Sequence, residues 1–127
     1  MTASPGAVRY RWSELACDRP MSLLERRRVI GQHMMISQVI LKKGCLVPTH
    51  AHANEQFCCV MRGRLRFLIG AQGDPSRKDA VLESGDVLHL PSNVPHSAEA
   101  IEETLVLDMF SPPSEKTGID QPAAERR

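Results

Sequence analysis

The sequence predicts an all-β domain, a sandwich or barrel of short strands behind a short N-terminal arm. Three observations predict it. From residue 29 onward, runs rich in β-branched and apolar residues recur at short, regular spacing. Glycine and proline punctuate the ends of those runs. Helical periodicity is nowhere sustained past the N-terminal third. At 127 residues the chain is long enough to bury a core without help from a disulfide or a metal.

Residues 1–28 read as the arm, with a short strand or turn. The first eight residues are loose. The stretch "WSELACDRPMSLLERRR" holds a turn of helix with Ser13 as N-cap, and Pro20 interrupts it. The barrel spans 29–112. "VIGQHMMISQVILKKG" is the first β-branched run and ends in a Lys-Lys-Gly turn. "EQFCCVMRG" is the second, stopped by Gly63. "RLRFLIG" alternates basic and apolar residues and stops at Gly70. "AQGDPSRKD" is a hairpin-like loop by composition. "AVLESGDVLHLP" carries a turn at Ser84-Gly85 and ends at a proline. "NVPHSAEAIEETLVLDMF" makes two further runs around an acidic turn. Residues 113–127 are polar and proline-bearing, a loose or partner-draped tail.

Charge excludes some functions. Lys plus Arg number 16 and Asp plus Glu 15, a balance that argues against an electrostatically driven nucleic-acid or membrane binder. The local runs "ERRR" and "RGRLR" read as solvated faces and a turn. No apolar run reaches the roughly 18 residues of a membrane span. The N-terminus lacks an apolar signal core, so a cytoplasmic protein is expected. The four cysteines are Cys17, Cys45, Cys58 and Cys59, with no CxxC spacing. Neighbours on a strand point to opposite faces, so Cys58 and Cys59 do not bond each other. All four read as reduced thiols, Cys58 as a buried small side chain.

The chemistry concentrates in "PTHAHANEQF". On extended chain, residues two apart face the same way, so His50 and His52 point together. Continuing the count puts Gln56 on the histidine side and Glu55 on the other. Two imidazoles and an amide oxygen suit a divalent first-row ion. A fourth ligand must come from elsewhere, and His96, after the turn "PSNVP", is placed for it. His33 and His89 read as core or surface histidines. Asp108 stands in the apolar run "LVLDMF", where a charge needs a partner or a task. Facing the interior it is a candidate general base or acid. Phe110 would line the pocket, and Gln38 is a weaker pocket candidate. Met34, Met35, Cys58, Leu65 and Phe67 are expected to turn inward.

These residues resemble the two motifs of the cupins. The first reads Gly44, five residues, His50-Ala51-His52, three residues, Gln56, six residues, Gly63. The second reads Gly85, five residues, Pro91, Ser92, Asn93, two residues, His96, three residues, Ala100. Gln56 stands where the usual pattern has glutamate, Asn93 where it has glycine, and Ala100 where it has asparagine. The resemblance covers residues 29–112 and implies a double-stranded β-helix, or jelly-roll barrel. It implies a divalent ion on His50, His52, Gln56 and His96, with Zn, Mn, Fe, Ni and Co all candidates. "HAHANEQ", "GRLRF", "PSNVPHSAEA" and "VLDMFSPP" are similar to the small single-domain cupins of the pectin-degradation KdgF group. That group is associated with opening the ring of unsaturated uronates and carries an Asp-x-Phe-Ser-Pro-x-Arg pattern. Asp108, Phe110, Ser111 and Pro112 match it, and Ser114 takes the arginine position. Arg62, Arg64 or Arg66 would then supply the missing cation, Arg64 as a substrate-binding residue.

The resemblance implies an isomerase or lyase acting on a small, oxygen-rich, sugar-acid-like substrate. Asp108 would be the catalytic residue. A metal-dependent dioxygenase and a non-enzymatic small-molecule binder are the alternatives. A homodimer is expected, with the arm at residues 8–16, bearing Tyr10 and Trp12, covering an exposed strand edge.

Overall fold

The computed structural model describes residues 6–114. A single 3₁₀ turn, Trp12–Glu14, precedes ten strands. They are β1 (Asp18–Met21), β2 (Leu24–Ile30), β3 (Met35–Leu41), β4 (Leu46–His50) and β5 (Glu55–Arg62), then β6 (Arg64–Ile69), β7 (Lys78–Glu83), β8 (Val87–Leu90), β9 (His96–Ala100) and β10 (Thr104–Ser111). A six-stranded sheet runs β1-β2-β3-β10-β5-β8, and a four-stranded sheet runs β4-β9-β6-β7. Every strand pairing is antiparallel. The fold is all-β, as the strand texture predicts, and it is the jelly roll that the cupin resemblance implies.

Period-two alternation builds the core. On β3 the buried residues are Met35, Ser37, Val39 and Leu41; on β10 they are Thr104, Val106, Asp108 and Phe110. On β5, Gln56, Cys58 and Val60 face the same way. Val47, Leu65, Phe67, Ala98 and Ala100 close the interior from the other sheet. Each fully buried Leu or Val among them contributes about 2 kcal/mol over an exposed one. Buried polar groups interrupt the apolar rows: Ser37, Asp108 and Gln56 cluster toward one end, and Thr104 stands at the other.

Two turns need unusual backbone. Gly63 joins β5 to β6 at φ 98°, and a Cβ there would lie 2.5 Å from the carbonyl oxygen of Glu103. Asn93 sits at φ 66°, a conformation asparagine tolerates, in place of the glycine of the motif.

Several expectations are corrected. The short strand expected within residues 1–28 is a hairpin: β1 pairs with β2, whose strand runs on past residue 28 and adds to the edge of the larger sheet. Leu24 of β2 belongs to the core. Ser13 lies inside the 3₁₀ turn; Arg11 holds the capping position, with no side-chain cap bond. The run 29–44 is broken at residues 31–34, which form a bend between β2 and β3. Met34 falls in that bend and is 55% exposed, while Met35 is buried. The loose tail expected beyond residue 114, and the start of the arm at residues 1–5, lie outside the described residues. Among the described residues no helix is long and apolar enough to cross a membrane. All four cysteines are free, Cys58 buried and Cys59 on the opposite face.

Candidate metal centre

The two histidine segments meet because β4 and β9 are neighbours. His50 ends β4, His96 begins β9, and the two are register partners. His52 lies in the short link between β4 and β5, two residues past the strand end. Gln56 is the second residue of β5, in the opposite sheet, register-paired with Phe110 of β10. The site therefore bridges the two sheets. The ring centroids are 4.4 Å apart for His50 and His96, 5.2 Å for His52 and His96, and 5.6 Å for His50 and His52. One ligand atom from each histidine lies within 4.8 Å of the others. Gln56 is buried and Glu55 exposed, as alternation along an extended strand requires.

The tautomers follow from the backbone. Each imidazole Nδ1 faces a carbonyl oxygen two residues away: Pro48 at 2.8 Å from His50, Asn54 at 3.0 Å from His52, and Val94 at 2.9 Å from His96. A carbonyl only accepts, so each Nδ1 carries the proton and donates. Each Nε2 is then left with its lone pair, the form a metal takes. Burial holds His96 far below the ordinary imidazole range, at about 3, with the neighbouring His50 adding to the effect. His96 thus stays neutral at any working pH. The three local carbonyl contacts went unread in the sequence, although a carbonyl two residues from each histidine is a local feature.

Gln56 completes the set. Its Nε2 donates to Asp108 Oδ1 at 3.1 Å, which turns its Oε1 toward His52 Nε2, also at 3.1 Å. Two acceptors, a lone-pair nitrogen and an amide oxygen, thus face each other with no proton between them. A cation is what reconciles such a pair. Three neutral imidazoles and one amide oxygen are donors suited to Zn, Mn, Fe, Ni or Co. The residues present fit a divalent ion, and its identity stays open among these metals.

Asp108 lies behind Gln56 and is only 7% exposed. Burial raises its carboxyl to about 6, against the opposing hydrogen bonds from Cys58 and Gln56. Cys58 is its register partner on β5. Burial, then the adjacent Asp108, pushes the Cys58 thiol well above its ordinary range, so it is a proton donor and not a nucleophile. His50, Gln56, His96, Asp108 and Phe110 open onto one cavity, whose floor is apolar: Leu24, Val39, Leu65, Phe67 and Val106 among others. It offers about 40 Å³ to the centres of water-sized groups, room for an ion and a few small ligand atoms. Phe110 also sets its ring edge-on to His52, with centroids 5.7 Å apart.

Gln38 and Arg64 are not brought to the site. Gln38 shares β3 with Ser37 and Val39 but projects from the other face. Arg64 is 46% exposed and pairs with Glu83 at 3.4 Å. Arg66 pairs with Asp79 at 2.6 Å on the outside of the smaller sheet, and Arg62 is exposed. Among the described residues no arginine or lysine lines the cavity. His89 is exposed, bonded to Glu55 at 2.6 Å and stacked on Phe57, and His33 is exposed in the bend before β3.

The family model described as the cupin domain matches residues 37–110. No curated protein sequence matches the chain. Among solved structures, an RmlC-like cupin from Shewanella frigidimarina is 22% identical with a TM-score of 0.74, over 84% of this chain and 91% of that one. KdgF from Halomonas sp. is 21% identical with a TM-score of 0.77, over 87% and 97% respectively. The oxalate decarboxylase of Lactobacillus farciminis is 18% identical with a TM-score of 0.74, and the match spans 91% of this chain but only 36% of that one. At these identities the likeness is one of fold.

Proposed function

The chain belongs to the cupin domain family, and from that premise we propose that it is a metal-dependent isomerase or lyase for a small, oxygen-rich, sugar-acid-like substrate. The observation that carries this reading is the juxtaposition of a neutral four-donor set with a buried carboxylate, Asp108, on one small cavity. When bound, a divalent ion there supplies a Lewis acid that polarises a carbonyl or hydroxyl oxygen without redox change. Asp108 moves the proton, taking it from carbon or oxygen and returning it to a neighbouring atom. The apolar floor excludes water from that transfer. The limited space admits the reacting end of a substrate and leaves the rest of the molecule toward the mouth. Among the described residues no arginine or lysine lines the cavity, so on this reading anionic recognition falls to the centre itself rather than to the guanidinium of the KdgF-group pattern. Oxalate decarboxylase, a protein of this shape whose name gives a small oxygen-rich acid as its substrate, is consistent with the reading.

The test is Asp108→Asn. Turnover of unsaturated uronates and of small hydroxy- and keto-acids should fall about 10²–10⁴-fold, with metal content unchanged. Unchanged turnover would remove Asp108 from the chemistry. Oxygen-dependent turnover by anaerobically purified, iron-loaded protein would establish the dioxygenase reading instead. Substrate retained without product by mass spectrometry would establish a binder.

A further inference from the structure

We propose that Asp108 is the positioning residue of the metal centre: it holds the Gln56 amide in the one orientation that presents oxygen, and not nitrogen, to the ion. The inference rests on the reading that the three histidines and Gln56 hold a cation.

A glutamine is an ambiguous ligand. Its amide has an oxygen that can coordinate and an NH₂ that cannot, and half a turn about the last side-chain bond exchanges them. At position 56 the choice is consequential. His52 Nε2 stands 3.1 Å from the Gln56 atom nearest it, and the Asn54 carbonyl keeps the His52 proton on Nδ1. If the amide turned, its N–H would donate to that nitrogen. Two of the four donors would then satisfy each other, and the site would close on itself. Only one contact at the far end of the amide opposes this. Asp108 Oδ1, at 3.1 Å, accepts from Gln56 Nε2 and offers nothing to Gln56 Oε1. Cys58 lies on β5 opposite Asp108, its thiol a donor toward the same carboxyl, so Asp108 is itself held.

The same contact accounts for the amide at position 56. A glutamate there would set two carboxylates about as close as the present 3.1 Å contact, in a buried site. A glutamate has no orientation to be fixed, since both its oxygens accept. Gln56 and Asp108 are therefore a matched pair, and the dependence on residue 108 should vanish when residue 56 is an acid.

The experiment measures Zn²⁺ affinity by chelator competition on the metal-free full chain. It compares wild type, Asp108→Asn, Asp108→Val, Asp108→Ala and the double variant Asp108→Val with Gln56→Glu, with folding checked by circular dichroism. Asparagine keeps an acceptor, so Asp108→Asn should hold Zn²⁺ within about threefold of wild type. Valine and alanine remove the acceptor and should weaken binding about 10–100-fold. The double variant should recover most of that loss. Alanine keeps the comparison intact if the valine variant fails to fold. The proposal is overturned if removing the acceptor leaves affinity unchanged, if Asp108→Asn loses as much as Asp108→Val, or if Gln56→Glu restores nothing. Wild-type protein that binds no Zn²⁺, Mn²⁺ or Co²⁺ would instead defeat the metal reading beneath it, and turnover of Asp108→Asn reports separately on the proton-moving role.

Discussion

Arg26 shows how a single buried charge is tolerated at the residue scale. It is 3% exposed on the inner face of β2 and donates to Asp18 through Nε at 3.1 Å and a terminal nitrogen at 2.6 Å. A bidentate contact of this kind is worth more than an exposed ion pair. The hydrogen bonds from Arg26 hold the Asp18 carboxyl below its ordinary value, with Arg28 adding a smaller attraction. The sign of the pH effect follows. A carboxyl lowered in the folded state stabilises the fold above its unfolded pKa, and that contribution is lost as pH falls through the folded value. Because the Asp18 carboxylate is half exposed and screened by water, Asp18→Asn should cost only about 0.5–1 kcal/mol at neutral pH and flatten the loss of stability as pH falls through the Asp18 titration, measured by urea unfolding across pH. An unaltered acid limb would remove Asp18 from the account. The candidate ligands were picked out at this same scale by an extended-chain count from His50 through His52 to Gln56, which reached residues the structure brings together even though the chain bends at residues 53–54 and Gln56 resumes on the other sheet. The errors were errors of parity too. Met35 and Gln38 differ by an odd number, as do Arg64 and Leu65, so neither Gln38 nor Arg64 could share the inward face of its neighbour.

Among the elements, those with clean alternation were readable and those with prolines or charges inside were not. β10 and β5 declare themselves by period two. β2, "LERRRVI", hides its inward face behind arginines, since Arg26 turns inward where Asp18 of β1 receives it. β1 and β4 carry Pro20, which reads as a breaker, and Pro48. Both strands lie at sheet edges, where a missing N–H costs no ladder bond. The β5–β6 turn makes a sharper demand. Gly63→Ala would place a methyl group 2.5 Å from the Glu103 carbonyl oxygen and the Thr104 hydroxyl, at a positive φ. Thr104 is wholly buried, with its hydroxyl bonded to the backbone of Arg64 and Glu102. The substitution should destabilise the fold by more than about 2 kcal/mol in chemical denaturation. A cost under half of that would show that the turn relaxes freely.

For the whole molecule, the centre joins two sheets that also meet through the apolar interior and the Thr104 hydroxyl bonded to the Arg64 backbone. An ion held by His50 and His96 on one sheet and Gln56 on the other binds only the folded chain. At a free-ion concentration about a thousand times Kd it should add roughly 4 kcal/mol. Chelation should therefore lower Tm reversibly, by scanning calorimetry, and restoring Zn²⁺ or Mn²⁺ should recover it; a Tm indifferent to both would mean that no ion bridges the sheets. We also propose that the chain pairs with a second copy. Val8 and Tyr10 of the arm are exposed, as are Phe57, Met61 and Val87 on the outer face of the larger sheet. Light scattering should return twice the chain mass, and a single-chain mass would defeat the dimer.

The division of donors between β4–β9 and β5 has a mechanical corollary. Prising the two sheets apart would pull His50 and His96 away from Gln56, so a cation held by all three would be lost if the barrel gaped to take in a bulky molecule. A substrate of the proposed chemistry would then have to enter end-first, so the opening of the cavity rather than any parting of the sheets would set what it accepts.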